Sequence, residues 1–189
     1  MYLFFKNLMD RTTALLCLVF LSPIFFFTAT LLYLFYGSPI IFPQERLGIN
    51  KKIFLIYKFR SMKSIASDEY KEFPDNARLT PLYRFIRRFK IDELPQLYNI
   101  LIGDMSFVGP RPWMPAVIKQ FSISNETRFN VKPGLTGLAQ INGNTHLSFN
   151  ERLKYDIRYI SQISLFLDLR IILSTFAIVC FGEKWGLKK

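Results

Sequence analysis

The sequence predicts an α/β protein that is mostly helical, contains one small β-hairpin, and is held at a membrane by its N-terminal segment. Three observations lead to this fold class. Residues 12–44 carry no charged side chain, which is long enough for a membrane-inserted helix. Residues 40–42 and 53–59 are short β-prone runs separated by Gly48 and Asn50, a pattern typical of a hairpin. Apolar residues then recur at helical spacing in the later segments.

Composition and charge limit the partners of the chain. Lys and Arg residues number 25 against 14 Asp and Glu residues, so the formal net charge is +11. That excess indicates a polyanionic partner, and three kinds are possible: nucleic acid, an anionic membrane face or a phosphorylated substrate. Half of the residues are hydrophobic and 20 are Phe, which favours the membrane over nucleic acid. Cys17, Cys180 and the single histidine, His146, fit neither a disulfide framework nor a zinc site.

The first element is a long apolar segment, residues 12–36, which Ser22-Pro23 interrupts near its middle. A helix over this segment is slightly longer than a bilayer core of about 30 Å. Pro23 removes a backbone donor and kinks such a helix, and the Ser22 hydroxyl can bond a freed carbonyl. The pattern leaves two geometries open, namely one spanning helix or a re-entrant segment that returns to the same side.

The flank that follows this segment predicts its orientation. It is rich in basic residues, and such flanks stay on the cytoplasmic side of a membrane. Its basic side chains are Arg46, Lys51, Lys52, Lys58, Arg60 and Lys63. We therefore expect residues 1–38 to be inserted in the membrane and residues 39–189 to form one domain on its cytoplasmic face.

Two helices are predicted after a polar loop or weak helix at residues 64–77. Thr80 and Pro81 provide an N-cap and a first-turn proline for the first of them. This helix has an apolar face and a basic face, which suits a membrane interface or, equally, a solvated basic surface over the core. The second helix is expected to begin at Asp92 and to stop at Gly103.

The C-terminal part is predicted to contain two loops and then two helices. Residues 104–115 and 132–144 are rich in Gly and Pro, which predicts ordered loops without regular elements. A capping box at residues 148–151 opens a helix that extends to about residue 160. The last apolar segment, residues 163–181, contains two charges that are costly in mid-membrane, so an interfacial or core helix is expected.

Asp92 and Glu93 are the strongest candidates for chemistry. Each has an ordinary structural explanation, because Asp is a common N-cap and Glu is favoured in a first helical turn. The pair nevertheless follows a cluster of basic residues and precedes a Gly/Pro loop that carries Arg111. A carboxylate at a helix start stays ionised beside amides that bind phosphate, and it can attack phosphorus to form an acyl-phosphate.

An anionic nucleophile can approach an anionic diphosphate only where its charge is neutralised. We expect Mg²⁺ to do this as a cofactor, held by Asp92, phosphate oxygens and water. Basic side chains near the carboxylates are expected to supply the other phosphate contacts. These side chains are Lys58, Arg60, Arg87, Arg88 and Arg111.

Four sequence blocks together resemble the signature of a known family. They are FPQERLG (42–48), YKFRSMK (57–63), IDELPQLYNILIGDMSFVGPRP (91–112) and VKPGLTGLAQINGN (131–144). In this order they are similar to the blocks of the bacterial sugar transferases, the monotopic phosphoglycosyl transferases that begin lipid-linked glycan and polysaccharide assembly. The likeness extends over residues 6–175 and is to the small members, which lack an extra multi-helix membrane domain.

This resemblance implies a fold, a location and a reaction. The fold is a compact α/β catalytic domain at the cytoplasmic face of the bacterial cell membrane. Its anchor is a re-entrant helix broken at a Ser-Pro pair, which Ser22 and Pro23 match. The reaction transfers a sugar-1-phosphate from a UDP-sugar to polyprenyl phosphate, such as undecaprenyl phosphate, and releases UMP.

The resemblance also implies roles for single residues. Asp92 would be the nucleophile that carries a covalent phospho-sugar, and Glu93 would assist by positioning the metal or by moving a proton. Arg87 matches an arginine that contacts phosphate, and Pro110-Arg111-Pro112 matches a motif linked to nucleotide recognition. Asn144 stands where many members have arginine after an Asn-Gly pair, which leaves the choice of sugar open.

Two other functions are compatible with the sequence. One is the same transfer by direct displacement, in which Asp92 and Glu93 act as metal ligands or as a base. The other is a non-catalytic protein that binds anionic lipid at the membrane surface through its basic helix. No nucleic-acid recognition motif appears, so we expect membrane lipid but no nucleic acid among the partners. A homo-oligomer is compatible with the sequence.

Overall fold

The computed structural model of the chain describes residues 2–62, 80–116 and 126–182. The fold is mostly helical with a small antiparallel hairpin, in agreement with the predicted class. The helices are α1 (Tyr2–Phe20), α2 (Ser22–Tyr36), α3 (Pro81–Arg88), α4 (Gln96–Ile102), α5 (Leu138–Ile141), α6 (Phe149–Ser161) and α7 (Leu165–Phe181). The strands are β1 (Ile41–Leu47), β2 (Ile53–Phe59), β3 (Ser106–Val108) and β4 (Gly134–Thr136). The loop or weak helix predicted at residues 64–77 lies outside the described residues.

The apolar N-terminal segment forms two helices, α1 and α2, that meet at an angle of 60°. The break falls at Leu21, and Pro23 lies in the first turn of α2, where its missing N–H costs no hydrogen bond. The Ser22 hydroxyl donates to the carbonyl of Val19 at 2.8 Å, as the sequence predicts. In the described part of the chain, no single helix is long and apolar enough to cross a membrane, whereas this bent pair meets that criterion by length and composition.

The predicted hairpin is present, and its first strand is longer than the apolar run at residues 40–42. β1 and β2 pair antiparallel with Ile41 opposite Phe59 and Leu47 opposite Ile53. The extra residues of β1 are mostly polar, so their strand conformation comes from pairing with β2 and not from their own propensity. Ile56 of β2 is buried in a core cluster whose other members come from α1, α4 and the residue before β3. These are Ala14, Leu97, Ile100 and Met105.

The segment around the carboxylate pair differs from the prediction. Asp92 lies in a 3₁₀ turn, Ile91–Glu93, and α4 begins only at Gln96. The N–H of Leu94 donates to the carbonyl of Ile91, three residues back, and the N–H of Leu97 donates in the same way to the carbonyl of Leu94. The predicted helix start at Asp92 is therefore wrong. The predicted stop is confirmed, because Gly103 ends α4 in the left-handed conformation with φ of 93°.

The two Gly/Pro segments, predicted to be irregular, meet as a short parallel ladder. Ser106 of β3 pairs with Gly134 of β4, and Val108 pairs with Thr136. A Cβ atom at Gly134 would lie 2.1 Å from the Gly109 amide nitrogen, so only glycine permits this approach. The prediction failed here because three-residue strands form through a long-range contact that local sequence patterns do not record.

The last two helices are close to their predicted bounds. Ser148 and Glu151 form the predicted capping box, in which Ser148 N–H donates to the Glu151 carboxylate at 2.7 Å. Asp168 of α7 is buried and accepts hydrogen bonds from the Tyr159 hydroxyl at 2.8 Å and from the Tyr2 hydroxyl and Lys6 Nζ at 2.7 Å each. These polar partners explain how a charged residue is tolerated in an apolar helix, and they tie α7 to α1 and α6.

Large apolar side chains are exposed along α1, α2 and α7. They include Phe4, Phe20, Phe26, Leu34, Phe166, Leu173 and Phe176, each more than two-thirds exposed. An apolar surface of this extent marks a site of contact with a membrane or another protein.

Candidate active site

The carboxylate pair opens onto a cavity of about 890 Å³. The walls of the cavity come from the β-hairpin, the 3₁₀ turn at Ile91–Glu93, the segment that follows β3, and the α5–α6 region. Its acidic residues are Asp92, Glu93 and Asp156, and its basic residues are Arg46, Lys58, Arg60, Arg87, Lys90, Arg111 and Arg152. A cavity of this size with more cations than carboxylates is suited to an anionic ligand.

Asp92 is buried and only partly satisfied. Its side chain is 8 % exposed, and Oδ2 accepts a hydrogen bond from the Ser61 hydroxyl at 3.1 Å. Oδ1 has no hydrogen-bond partner among the described residues. Burial and the adjacent charge of Glu93 raise the pKa of Asp92, against the opposing effects of Lys58, Ser61 and Arg87. Ionisation of this carboxyl therefore depends on nearby cations and not on the α-helix start that the sequence predicted.

Glu93 is held between two cations. Its Oε1 lies 3.2 Å from Lys58 Nζ and 3.3 Å from an Arg111 guanidinium nitrogen. Burial alone would raise its pKa, but the charges of Arg111, Lys58 and Lys90 lower the pKa of Glu93 to about 2. The residue is consequently an anion at neutral pH, and it orients Lys58 and Arg111 at the wall of the cavity.

The backbone around Arg111 is fixed by two other arginines. Arg128 donates to the Arg111 carbonyl at 2.8 Å, and Arg46 donates to the Pro112 carbonyl at 3.1 Å. Arg128 is itself buried, and its guanidinium pairs with Asp156 at 2.8 Å and stacks 3.3 Å from the Trp113 ring centroid. A buried pair of this kind needs an additional partner to offset its desolvation, and the Arg111 carbonyl provides one.

These supporting residues were not identified from the sequence. Arg128 and Asp156 are 28 positions apart in the chain and belong to no common motif. Ser61 stands inside the block YKFRSMK, which could have drawn attention to it, although its contact with Asp92 crosses 31 positions.

Most of the predicted binding residues line the cavity, whereas Pro110 and Arg88 do not. Lys58, Arg87, Arg111 and Pro112 line the cavity together with the carboxylate pair. Pro110 is buried behind it, where its carbonyl accepts a hydrogen bond from the Gly134 amide at 2.9 Å.

Two of the predicted phosphate ligands, Arg60 and Arg88, have other roles in the structure. Arg60 contributes to the cavity wall, but its guanidinium donates to the carbonyls of Tyr36, Gly37 and Ser38 at the end of α2. Arg88 lies away from the cavity lining and donates to the Val179 carbonyl at 2.7 Å, which links α3 to α7. Both side chains satisfy carbonyls at or near a helix C-terminus, a common place for arginine.

The described residues do not by themselves provide a complete metal site in this cavity. They contain no cluster of three or more His, Cys, Asp or Glu side chains that could enclose an ion. Mg²⁺, however, is often bound by one or two carboxylates together with substrate phosphates and water. The Oδ1 atom of Asp92, which lacks a partner in the described structure, fits that second mode.

A buried carboxylate pair beside several cations, in a cavity large enough for a substrate, is suited to an enzyme that acts on phosphorylated compounds. The chain belongs to the bacterial sugar transferase family, whose model matches residues 1–182. This membership confirms the resemblance carried by the four sequence blocks and makes the protein a transferase.

Individual relatives support the same family. The chain is 42% identical over 178 residues to the uncharacterized sugar transferase EpsL of Bacillus subtilis, covering 94% of this chain and 88% of EpsL. It is 33% identical to the exopolysaccharide production protein ExoY of Sinorhizobium fredii, covering 94% of this chain and 86% of ExoY. It is 39% identical to the UDP-glucose:undecaprenyl-phosphate glucose-1-phosphate transferase of Klebsiella pneumoniae, covering 90% of this chain but 39% of that protein.

Proposed function

We propose that this enzyme transfers a sugar-1-phosphate from a UDP-sugar to undecaprenyl phosphate and releases UMP, with Asp92 as the covalent carrier. The observation that carries the proposal is the contrast within the carboxylate pair. Glu93 is occupied by Lys58 and Arg111, whereas Asp92 Oδ1 is without a partner in the described structure. Relatives named for transfer to undecaprenyl phosphate support the choice of acceptor.

In the first step, a carboxylate oxygen of Asp92 attacks the phosphorus that carries the sugar. The bond between that phosphorus and the oxygen bridging to the α-phosphate breaks, and UMP leaves with the bond electrons. Lys58, Arg87 and Arg111 line the cavity and are suited to neutralise the diphosphate as the carboxylate approaches. The product of this step is a phospho-sugar joined to Asp92 as an acyl-phosphate.

In the second step, a phosphate oxygen of undecaprenyl phosphate attacks the same phosphorus. The acyl-phosphate bond breaks, the Asp92 carboxylate is regenerated, and the product is a polyprenyl diphosphate sugar. Glu93 supports both steps by fixing Lys58 and Arg111 beside the reacting phosphate. Its low pKa makes it a poor proton carrier at neutral pH, so a positioning role fits better than a proton-transfer role.

Mg²⁺ fits this site as a cofactor that neutralises diphosphate charge. Asp92 and the substrate phosphates would hold it, because the described residues offer no protein-only cage.

We place the enzyme at the cytoplasmic face of the bacterial cell membrane. The bent α1–α2 pair and the exposed apolar residues of α1, α2 and α7 support insertion into one leaflet. The positive net charge supports the cytoplasmic face, where anionic lipids attract basic proteins. In this arrangement the re-entrant break at Ser22-Pro23 keeps both ends of the segment on one side.

A screen of UDP-sugars for UMP release in the presence of undecaprenyl phosphate tests the proposal. One or a few donors are expected to give UMP together with a lipid-linked diphosphate sugar. Asp92→Asn should reduce this rate by at least about 10³-fold, because the nucleophile is lost. Asp104→Asn, which alters an exposed carboxylate in the loop after α4, is the matched control and should retain activity. Full activity of Asp92→Asn would contradict the proposal.

A further inference from the structure

A second cavity lies beside the catalytic one, and its walls are almost entirely apolar. It measures about 290 Å³ and runs between α2 and α3. Its walls include Ile24, Phe27 and Leu31 of α2, and Leu82, Phe85 and Ile86 of α3. Among its described lining residues only Thr28 is polar, so water is poorly held there and an apolar ligand is favoured. We call this cavity the α2–α3 groove.

The α2–α3 groove and the catalytic cavity share one stretch of chain as a common wall. Ile86 and Ile91 line the groove, while Arg87 and Asp92, the next residue in each case, line the catalytic cavity. Consecutive Cα atoms are about 3.8 Å apart. A ligand that occupies both sites therefore combines an anionic head with an apolar chain on the two sides of this stretch.

The outer side of the groove is continuous with the exposed apolar surface of α2. Ile24 and Phe27 line the groove and are 44% and 62% exposed. A lipid chain can thus enter the groove from the same apolar surface that we place in the membrane.

We propose that the α2–α3 groove binds the polyisoprenoid chain of the acceptor, next to its phosphate. This inference rests on the proposed function, since it assigns a subsite to the acceptor of that reaction. In a polyprenyl phosphate the phosphate is bonded directly to the isoprenoid chain, which suits two sites that share one stretch of chain as a wall. A glycerophospholipid places a glycerol unit between its phosphate and its acyl chains, so it fits this arrangement less well.

Two pairs of variants on one helix separate the groove from the general apolar surface. Phe27→Ala removes part of the groove wall, and Phe26→Ala is its control, because Phe26 is 77% exposed and does not line the groove. Ile24→Trp introduces a bulky ring into the groove, and Leu34→Trp introduces the same ring at an exposed position of α2 outside it.

The kinetic test compares the KM for the acceptor in the groove variants with that in their controls. Ile24→Trp and Phe27→Ala are expected to raise the KM for undecaprenyl phosphate about tenfold or more, while the two controls stay within about twofold of wild type. The KM for the UDP-sugar is measured in parallel, and it should change much less than the acceptor KM. An equal rise in both KM values, or equal effects in variants and controls, would overturn the proposal.

A binding test does not depend on turnover. A polyprenyl phosphate with a photoreactive group in its first isoprene units is cross-linked to the protein in nanodiscs, and the labelled peptides are identified by mass spectrometry. We expect labelled peptides from α2 and α3. The labelling should be weaker in Ile24→Trp but unchanged in Leu34→Trp, and undecaprenyl phosphate should compete with it whereas phosphatidylglycerol should not. Equal competition by phosphatidylglycerol would overturn the proposal in favour of a general lipid site. Labelling in wild type without any UMP release would instead contradict the proposed reaction and support the groove.

Discussion

Asp92 and Glu93 are neighbours in the chain but lie in different electrostatic surroundings. Glu93 is fixed by Lys58 and Arg111, while Asp92 accepts a hydrogen bond from Ser61 through one oxygen and has a second oxygen without a partner in the described structure. In the proposed reaction this difference makes Asp92 the residue that reacts and Glu93 the residue that positions cations. The sequence blocks identify both carboxylates, but they contain no information on which of them is neutralised.

The pH dependence of UMP release is expected to report on Asp92. Burial and the charge of Glu93 raise the pKa of Asp92. As the pH falls, Asp92 is therefore protonated, and the nucleophile lost, at a higher pH than an ordinary aspartate would be. Glu93→Gln removes the neighbouring negative charge and frees Lys58 and Arg111 to act on Asp92. Both changes lower the pKa of Asp92.

The acid limb of kcat/KM should consequently move to lower pH in Glu93→Gln, while the maximal rate falls because two cations lose their anchor. The measurement is the pH profile of UMP release with saturating undecaprenyl phosphate. A profile that moves to higher pH, or that keeps its position, would show that Glu93 does not control the ionisation of the nucleophile.

At the scale of elements, local signals predicted helices and turns well but missed long-range contacts. The hairpin, the stop of α4 at Gly103 and the capping box at Ser148 follow from short patterns and are all present. The β3–β4 ladder is missing from the prediction, because it depends on the close approach of Gly109 and Gly134. The helix start at Asp92 was misplaced because the amides of Glu93 and Leu94 donate to carbonyls three residues back, which makes a 3₁₀ turn at this point.

The ion pair between Arg128 and Asp156 is expected to stabilise the cavity wall. Asp156→Asn leaves a buried guanidinium without its counter-charge, so the free energy of unfolding should fall by about 3 kcal/mol. The KM for the UDP-sugar should also rise, since Arg128 holds the Arg111 carbonyl. Unfolding in detergent, followed by circular dichroism, measures the first effect.

Asp104→Asn serves as the control here too, because an exposed loop carboxylate should change stability by less than about 0.5 kcal/mol. If Asp156→Asn unfolds like this control, the buried pair does not stabilise the wall. If Asp156→Asn lowers stability but leaves the KM for the UDP-sugar unchanged, the ion pair stabilises the fold and does not position Arg111.

At the scale of the whole molecule, one chain brings an apolar pair of helices and a charged cavity together. α1 belongs to the same core cluster as the hairpin and α4, through Ala14, Ile56 and Ile100, so the N-terminal segment is also part of the packing around the site. The sequence predicted the break at Ser22-Pro23 but left its geometry open, and the structure shows two helices at 60° that both contribute to core clusters. This packing places the α2–α3 groove against the wall of the catalytic cavity.

The central claim is that Asp92 carries the phospho-sugar between donor and acceptor. Its most direct test is to incubate the enzyme with the UDP-sugar identified in the screen, without acceptor, and to locate any adduct by peptide mass spectrometry. We predict a phospho-sugar on Asp92 with one UMP released for each adduct, and no adduct on Asp92→Asn. Release of UMP that requires undecaprenyl phosphate, with no adduct on the wild-type enzyme, would contradict the claim and favour direct displacement.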